Sequence, residues 1–377
     1  MRPLLSKRAS IFPINVFILR LTDFSSFSLR FQLRLGIIVA LIIFSAIIIF
    51  HELGHFFLAK KNGIGVTEFA LGMGPNLFSF KKGETEYCLK ALPIGGLCAM
   101  VGEDTDDLSE NSFNSKSVWQ RISVVAAGPV FNFILAFIFS LILVSIVGYD
   151  TPVVYMTEQG GPAYEAGILE GDIIKKVNGK NIYMFKEFRT EILMNTDGKP
   201  MTLVMERDGE EYTTVVTPEL TKDGSYKMQI YGGAYAKTGF FETLKYGILE
   251  IRYWITTTVK SLGMLASGGV SADNVSGPVG IVTMIDDTYQ EAATYGWMDV
   301  VLNMMNIGIM LSANLGVMNL LPIPALDGGR LVFLIIEAVR GKPISPEKEG
   351  WVHTAGFVFL MGLMVFILYN DLVKLFV

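Results

Sequence analysis

Four segments of the chain are long and apolar enough to cross a lipid bilayer. A membrane-spanning helix needs about 20 mostly apolar residues, and such runs cover residues 35–59, 122–147, 300–330 and 351–370. The second run carries no charged side chain. The pattern predicts a polytopic α-helical membrane protein with about four transmembrane helices.

Two polar regions between these runs have the alternation that is typical of strands. In residues 60–121, the part from 63 to 100 is β-like and punctuated by glycine, with a hairpin turn expected at Lys82–Gly83–Glu84. Residues 150–220 alternate β-branched and charged side chains, as in MTLVMERDGEEYTTVVT. We expect a β-hairpin or sheet in the first region and a small β-rich domain in the second.

Residues 221–299 include a helical pattern with apolar side chains three or four positions apart, at 241, 244, 248, 251, 255, 259 and 262. Five charged residues within the same stretch make a fifth membrane span a poor interpretation, namely Glu242, Lys245, Glu250, Arg252 and Lys260. Two placements stay open. The helix lies on the membrane or against the spans, or it packs on the β-rich domain.

Composition and charge narrow the function classes. Hydrophobic residues make up 51% of the 377 residues and charged residues 18%, which fits a membrane protein with a polar part. The formal charge of −5 gives no reason to expect nucleic-acid binding. Cys88 and Cys98 are too few for a disulfide framework and are expected to be ordinary free thiols.

The positive-inside rule orients the chain. The loop after the first span holds seven basic residues, and the loop after the third holds four, namely Arg330, Arg340, Lys342 and Lys348. Both loops are therefore predicted to be cytoplasmic. The β-rich domain and the C-terminus would then lie on the extracytoplasmic side of the cell membrane.

Residues 1–34 form a basic extension with six basic residues and one acidic residue, Asp23. By the same rule, this extension alone would place the N-terminus in the cytoplasm, against the orientation given by the loops. Their apolar run IFPINVFIL is too short to span a bilayer. Three interpretations are open: a start codon assigned too far upstream, a removable presequence, or a basic surface segment. The first is preferred, because the hydrophobic pattern begins near Leu35.

The first span contains His51, Glu52 and His55, three ionisable residues inside apolar sequence. Residues four apart lie on one helix face, so both imidazoles can bind one ion. This H-E-x-x-H spacing is typical of two zinc ligands and a general base. His51 lies about 13 Å along the helix from the basic flank at Lys60, where ionisable groups without a role are costly. A buried polar cluster or a proton relay is the structural alternative.

A catalytic zinc usually has three protein ligands, and the third must come from elsewhere in the chain. Asp327, in NLLPIPALDGGR, is preferred because Pro322 and Pro324 break the helix before it. The glycines at 328–329 would let the backbone approach closely. His353 is the other choice, but its simplest interpretation is an interfacial residue. Asp327 could also be a helix-terminating residue in a turn.

HELGH in the first span and NLLPIPALDGGR after the third resemble the two signatures of the site-2 proteases, zinc metalloproteases that cut peptide bonds within the membrane. The resemblance extends from Leu35 to the C-terminus and is greatest to the regulator-of-sigma-E-protease branch. AAGPVFNFILA, with Gly128, Pro129 and Asn132, and SGPVGI at 276–281 also resemble that branch.

The resemblance implies one Zn²⁺ per chain, held by His51, His55 and Asp327, with Glu52 as the catalytic residue. It implies that Asn314 and Asn319 hold unwound substrate, although polar contacts between helices explain Asn314 almost as well. The implied substrates are single-span proteins already cut outside the membrane, such as anti-sigma factors or signal-peptide remnants. The active site would face the cytoplasm.

GGPAYEAGILEGDIIKKVNGKNI resembles bacterial PDZ domains, which bind peptide termini as an added strand. There is room for one such domain. It would capture a peptide or simply exclude large ectodomains, and exclusion is the simpler expectation because it needs no pocket.

Two other functions compete with the protease. A catalytically silent, PDZ-bearing membrane scaffold would not need Glu52 beside the metal ligands. A proton- or metal-coupled transporter is disfavoured, because four spans show no inverted repeat.

Overall fold

The computed structural model describes residues 14–103, 105, 107–222, 224–268 and 277–376. Residues 1–13 of the expected N-terminal extension at 1–34, and Ser276 of SGPVGI, lie outside the described residues. The helices are α1 (Ile14–Lys61), α2 (Val118–Val147), α3 (Pro162–Glu165), α4 (Phe185–Leu193), α5 (Phe240–Ala266), α6 (Pro278–Ala293), α7 (Trp297–Asn319), α8 (Asp327–Arg340) and α9 (Pro346–Phe376).

The strands fall in two stretches of the chain. The first stretch contains β1 (Val66–Lys82) and β2 (Thr85–Met100). The second contains β3 (Tyr149–Asp150), β4 (Val154–Thr157), β5 (Ile173–Val177), β6 (Lys180–Asn181), β7 (Met201–Arg207), β8 (Glu210–Val216), β9 (Glu219–Leu220), β10 (Tyr226–Lys227), β11 (Ile230–Gly232) and β12 (Tyr235–Ala236).

Four helical segments in the described residues are long and apolar enough to cross a membrane: Leu35–Lys61, Val118–Val147, Trp297–Asn319 and Glu347–Val373. The prediction of about four apolar helices of membrane-spanning length, together with β-rich regions, is therefore confirmed. The third span ends at Asn319 and not near residue 330, because the prolines at 322 and 324 lack the N–H groups that a helix needs. A separate helix, α8, begins at Asp327.

Local capping defines where α2 begins. The Ser117 hydroxyl accepts a hydrogen bond from the Gln120 N–H, and the Gln120 side chain accepts one from the Ser117 N–H. This capping box satisfies two backbone donors at the helix start. Pro129 stands inside α2 and interrupts its backbone hydrogen bonds in the turn that faces α1.

The two long strands β1 and β2 form a hairpin with the predicted turn, where Gly83 has a φ of +66°. The hairpin is bent. Glu68 in the first half of β1 is aligned with both Ala99 and Glu86 of β2, whereas Lys82 at the other end faces Thr85. The end of β2 lies beside α1, and the Val101 N–H just after β2 donates a hydrogen bond of 2.8 Å to the carbonyl of Gly65, which precedes β1.

The second β-rich stretch is longer than the predicted 150–220. Its four-stranded sheet has the order β6-β5-β7-β8, with α4 packed on a core that includes Phe188, Ile174 and Leu203. Three short strands, β10 to β12, lie between residues 226 and 236, where a helical region was expected. β11 pairs with β4 and β12 with β3, so the unit closes on the strands that follow α2.

Helix α5 satisfies both placements that the sequence left open. The Gly247 carbonyl accepts a hydrogen bond of 3.0 Å from Ser140 of α2, and Trp254 packs on Ile309 and Ala313 of α7. The opposite face of α5 contacts the β-rich unit. The helix therefore lies between two membrane spans and the polar domain.

Ion pairs join α5 to α4 of the β-rich unit, namely Lys186–Glu250, Arg252–Glu187 and Lys260–Glu191. Burial alone would raise the pKa of Glu191, but Lys260 and Lys180 outweigh it and hold the pKa below its usual value. Glu191 is therefore charged at neutral pH. These three ion pairs attach the β-rich unit to α5, the helix that packs on α2 and α7.

Candidate metal centre

His51 and His55 lie one turn apart on α1 and point at the same place. Both residues are 8% exposed, and their Nε2 atoms are 3.2 Å apart. A helix places residues four apart on one face, so this pair follows directly from the sequence spacing.

Asp327 reaches the same place from the start of α8. Its Oδ2 lies 3.2 Å from Nε2 of His51 and 3.5 Å from Nε2 of His55. Side chains at Gly328 would collide with the backbone of Leu320 and Leu321, so the predicted close approach of the backbone occurs here. The tight loop brings the carboxylate back to α1.

The three atoms have the spacing of a zinc site. A tetrahedral zinc with bonds of 2.0–2.1 Å keeps its ligand atoms about 3.3 Å apart, close to the distances of 3.2, 3.2 and 3.5 Å. Oδ2 of Asp327 is buried and has no hydrogen-bond partner in the described part of the chain. His51, His55 and Asp327 therefore fit a metal ion, and in the described residues they form the one group of this kind.

The other ring nitrogen of His55 is held by the backbone of α2. Nδ1 lies 2.9 Å from the Val124 carbonyl oxygen, which can only accept. Nδ1 therefore carries the proton and donates it, which leaves the lone pair of Nε2 for a metal. Pro129 interrupts the hydrogen bonds of α2 in the adjoining turn.

The other ring nitrogen of His51 contacts Asn132 of α2, with Nδ1 3.1 Å from Nδ2. A histidine that offers Nε2 to a metal carries its proton on Nδ1 and needs an acceptor there. Oδ1 of Asn132 is buried and has no partner among the described residues. Turning the amide by half a rotation places Oδ1 against Nδ1 and satisfies both groups. With Nδ1 of each ring donating, three lone pairs converge, which is unfavourable without a cation.

Small residues let α1 and α2 approach at this place. A side chain on Gly54 would collide with the Ala127 carbonyl, and one on Gly128 would collide with the His51 and His55 rings. Close contact of helix backbones through glycine is common in membrane proteins. The histidines are therefore pressed between the two helices.

Glu52 faces the end of β2 instead of the ion-binding face. A Cβ built on Gly96 would lie 2.6 Å from Cγ and 3.1 Å from Oε1 of Glu52. The carboxylate therefore lies beside the backbone of the hairpin, and Glu52 adjoins the metal-ligand group through its chain neighbour His51. Burial raises the pKa of the nearby Cys98 thiol, and the Glu52 charge raises it further, so Cys98 is a neutral thiol. Cys88 and Cys98 are both free and buried.

The two asparagines of α7 lie in different surroundings. Nδ2 of Asn319 is 3.5 Å from both ring nitrogens of His51. Oδ1 of Asn314 accepts a hydrogen bond from the Thr258 hydroxyl of α5. Asn314 is therefore bound by a neighbouring helix, at a point about 7.5 Å along α7 from Asn319. Of the two asparagines, Asn319 alone adjoins the metal-ligand group.

Two contacts of the site were not expected from the residue pattern. Asn132 entered only through its motif, although an amide inside an apolar helix is a signal of a partner. His353 does not join the ligand group but accepts a hydrogen bond from the Ala325 N–H at 2.9 Å. A histidine on an apolar helix gives no indication of which backbone group it will meet.

Comparison with known families and proteins agrees with this geometry. The chain matches the family model described as peptidase family M50 over residues 39–363. This match includes all six predicted site residues.

Three curated relatives cover nearly the whole chain. A zinc metalloprotease RasP of Bacillus licheniformis is 36% identical, covering 90% of this chain and 99% of the relative. The regulator of sigma-W protease RasP of Bacillus subtilis is 35% identical with the same coverage. A putative zinc metalloprotease of Clostridium acetobutylicum is 37% identical, covering 90% of this chain and 97% of the relative.

Among solved structures, the PDZ domain of an SdrC-like protein from Listeria monocytogenes is similar to part of the chain. The two sequences are 19% identical over the match, which covers 22% of this chain and 88% of the Listeria domain and has a TM-score of 0.21.

Proposed function

Because the chain belongs to peptidase family M50, the site-2 protease metalloproteases, we propose that it cleaves peptide bonds inside the membrane at the His51–His55–Asp327 group. The observation that carries the proposal is the convergence of three ligand atoms from α1 and α8, with Glu52 next to His51 in the chain. The depth of the group supports cleavage inside the membrane, because His51 lies ten residues before the end of α1 at Lys61, or about 15 Å along the helix.

The chemistry assigned to each residue follows from its position. The family's zinc, when bound, supplies a Lewis acid that acidifies a water molecule and polarises the scissile carbonyl. Glu52 removes the proton of the attacking water and delivers it to the leaving nitrogen. His55 and His51 keep Nε2 directed at the site because Val124 and Asn132 hold their Nδ1 atoms.

The end of β2 is the proposed docking edge for the substrate. A transmembrane helix hides its amides in internal hydrogen bonds and must unwind before it is cut. Gly96 brings the β2 backbone next to Glu52, so a substrate strand paired with this edge would pass the carboxylate. Strand pairing would replace the hydrogen bonds that the unwound helix loses. Asn319 is the preferred polar contact for this strand, and Asn314 the weaker one.

The direction of insertion and the substrate class are part of the proposal. Basic loops on the side of the hairpin and α8 favour a cytoplasmic position for the metal group, with the β-rich unit outside. A relative in Bacillus subtilis is named a regulator of sigma-W protease. Single-span proteins such as anti-sigma factors or signal-peptide remnants, already shortened outside, are therefore the proposed substrates, and the β-rich unit is proposed to be a PDZ domain that limits the size of what enters.

The test separates protease from silent scaffold. In purified full-length protein, Glu52→Gln should abolish cleavage of a single-span substrate while zinc content stays at the wild-type level. Asp327→Ala should lose zinc as well as cleavage. Continued cleavage by Glu52→Gln, or full zinc in Asp327→Ala, would contradict the assignments. Membrane-peptide proteomics of the native host, comparing wild type with Glu52→Gln, then identifies the substrates.

A further inference from the structure

Helix α9 is exposed along most of its length. Of its residues whose side chains the structure describes, Gly356 and Asp371 are buried. Asp371 accepts hydrogen bonds from the Gly277 and Gly280 N–H groups at 3.1 and 3.0 Å. Near its other end, the helical turn around Gly356 contacts Pro324, in the loop that leads to the metal ligand Asp327.

The loop between α7 and α8 contains a residue in an unfavourable backbone conformation. Ala325 has a φ of +74°, in the left-handed region that non-glycine residues rarely adopt. Such a conformation persists only where the surroundings hold it. Pro322 and Pro324 have no N–H to contribute. The N–H groups of Ile323 and Leu326 donate to carbonyls inside the loop, whereas the Ala325 N–H donates to a different helix.

His353 of α9 supplies a contact at this residue. Its Nδ1 accepts the hydrogen bond of 2.9 Å from the Ala325 N–H. The ring also packs against Phe333 of α8, with ring centroids 5.6 Å apart. One side chain therefore contacts both the loop and the helix that begins with Asp327.

Gly356 makes this contact sterically feasible. A side chain at this position would collide with Pro324, whose carbonyl oxygen would lie 2.6 Å from the added Cβ. His353 and Gly356 are three residues apart and so lie on the same face of α9. That face of α9 therefore contacts the Pro324–Ala325 turn at both residues.

We propose that His353 is a positioning residue that holds the Pro324–Ala325 turn so that the Asp327 carboxylate is directed at His51 and His55. The proposal rests on the assignment of Asp327 as a metal ligand. Without the Nδ1 acceptor, Ala325 can leave the left-handed region and the carboxylate, two residues on, loses its fixed position. A metal must then order the loop when it binds, so its affinity falls.

The experiment measures zinc affinity of the full-length protein in detergent by competition with a chelator. His353→Phe keeps a ring against Phe333 but removes the acceptor, whereas His353→Asn places an amide oxygen where Nδ1 was. Thr354→Ala changes an exposed neighbour on the same helix and is the matched control. Cleavage of a single-span substrate is measured at limiting and at saturating zinc.

We expect His353→Phe to bind zinc about tenfold more weakly, and His353→Asn and Thr354→Ala to remain near wild type. Cleavage by His353→Phe should be low at limiting zinc and recover at saturating zinc, since the bound ion itself orders Asp327. If crowding prevents recovery of folded His353→Phe, His353→Leu gives the same test.

Wild-type affinity in the variants without the acceptor overturns the proposal, and so does an equal loss in His353→Asn, which would assign the effect to ring packing. Asp327→Ala run in parallel distinguishes the two levels of inference. If it retains zinc, the proposed metal site is wrong. If it loses zinc while His353→Phe binds normally, only the role of His353 is wrong.

Discussion

At the scale of single residues, the chemistry depends on which nitrogen of each histidine carries the proton. His55 donates through Nδ1 to a carbonyl of α2, and His51 faces the Asn132 amide with the same atom. With the Asn132 amide turned so that Oδ1 faces His51, both contacts leave Nε2 unprotonated and directed at Asp327. The ligands themselves could be predicted from H-E-x-x-H, but their hydrogen-bond partners could not, because those come from a different helix.

Asn132 is expected to control the affinity of the site for zinc. Asn132→Leu has similar volume but cannot accept the His51 proton, so zinc affinity should fall about 10- to 100-fold. Asn132→Asp keeps an oxygen at the same place and should retain zinc. Chelator competition on the purified proteins measures both. Tight zinc binding by Asn132→Leu would show that His51 needs no such partner.

At the scale of elements, the site depends on how closely α1, α2 and β2 approach one another. Gly54 and Gly128 let the two helices touch beside the histidines, and Gly96 lets β2 touch Glu52. The sequence shows these glycines but does not show which of the many glycines face a neighbour. That choice follows from the crossing of the helices, which is a property of their whole surfaces.

Gly128→Ala should disturb the metal centre although it adds only one methyl group. The methyl would occupy space taken by the rings of His51 and His55, and overpacking of this kind costs about 1–3 kcal/mol. We expect lower zinc content and lower cleavage than in Val130→Ala, a change at an exposed position of the same helix. Equal zinc content in the two variants would contradict the close approach.

Proline substitutions test the proposed docking edge of β2. Successive strand residues direct their N–H groups to opposite edges, so one of Leu97→Pro and Cys98→Pro removes an N–H that faces the substrate side. Cleavage should drop in at least that variant without loss of expression. A proline in the strand-to-helix region at Leu108, which is 73% exposed, is the control. Unchanged cleavage in both strand variants would exclude this edge.

At the scale of the whole molecule, the β-rich unit is tied to the membrane helices. The α4–α5 ion pairs join it to α5, and α5 in turn contacts α2 and α7 through Ser140 and Trp254. The spans therefore carry the unit at a defined position above α2 and α7. This fixed position is what the proposed size-filter role requires, since exclusion by bulk needs no bound ligand.

The direction of insertion can be tested by cysteine labelling in intact cells. With Cys88 and Cys98 replaced by alanine, Lys199→Cys in the β-rich unit should react with a membrane-impermeant maleimide. Lys82→Cys at the hairpin turn should react only after the membrane is opened. Both positions are exposed, so a difference reports sidedness. The reverse pattern would invert the proposed topology.

The sequence by itself determined the four apolar helices, the His51–His55 pair, the turn at Gly83 and the break before Asp327. These features arise from local periodicity, from hydrogen bonds between near neighbours and from the missing N–H of proline. Only the tertiary structure decided that Asp327 meets His51 across 276 residues of sequence, that β11 and β12 return to β4 and β3, and that Asn132 and His353 support the ligands. Such contacts depend on how whole helices and strands pack together, and no local pattern encodes the relative placement of distant elements.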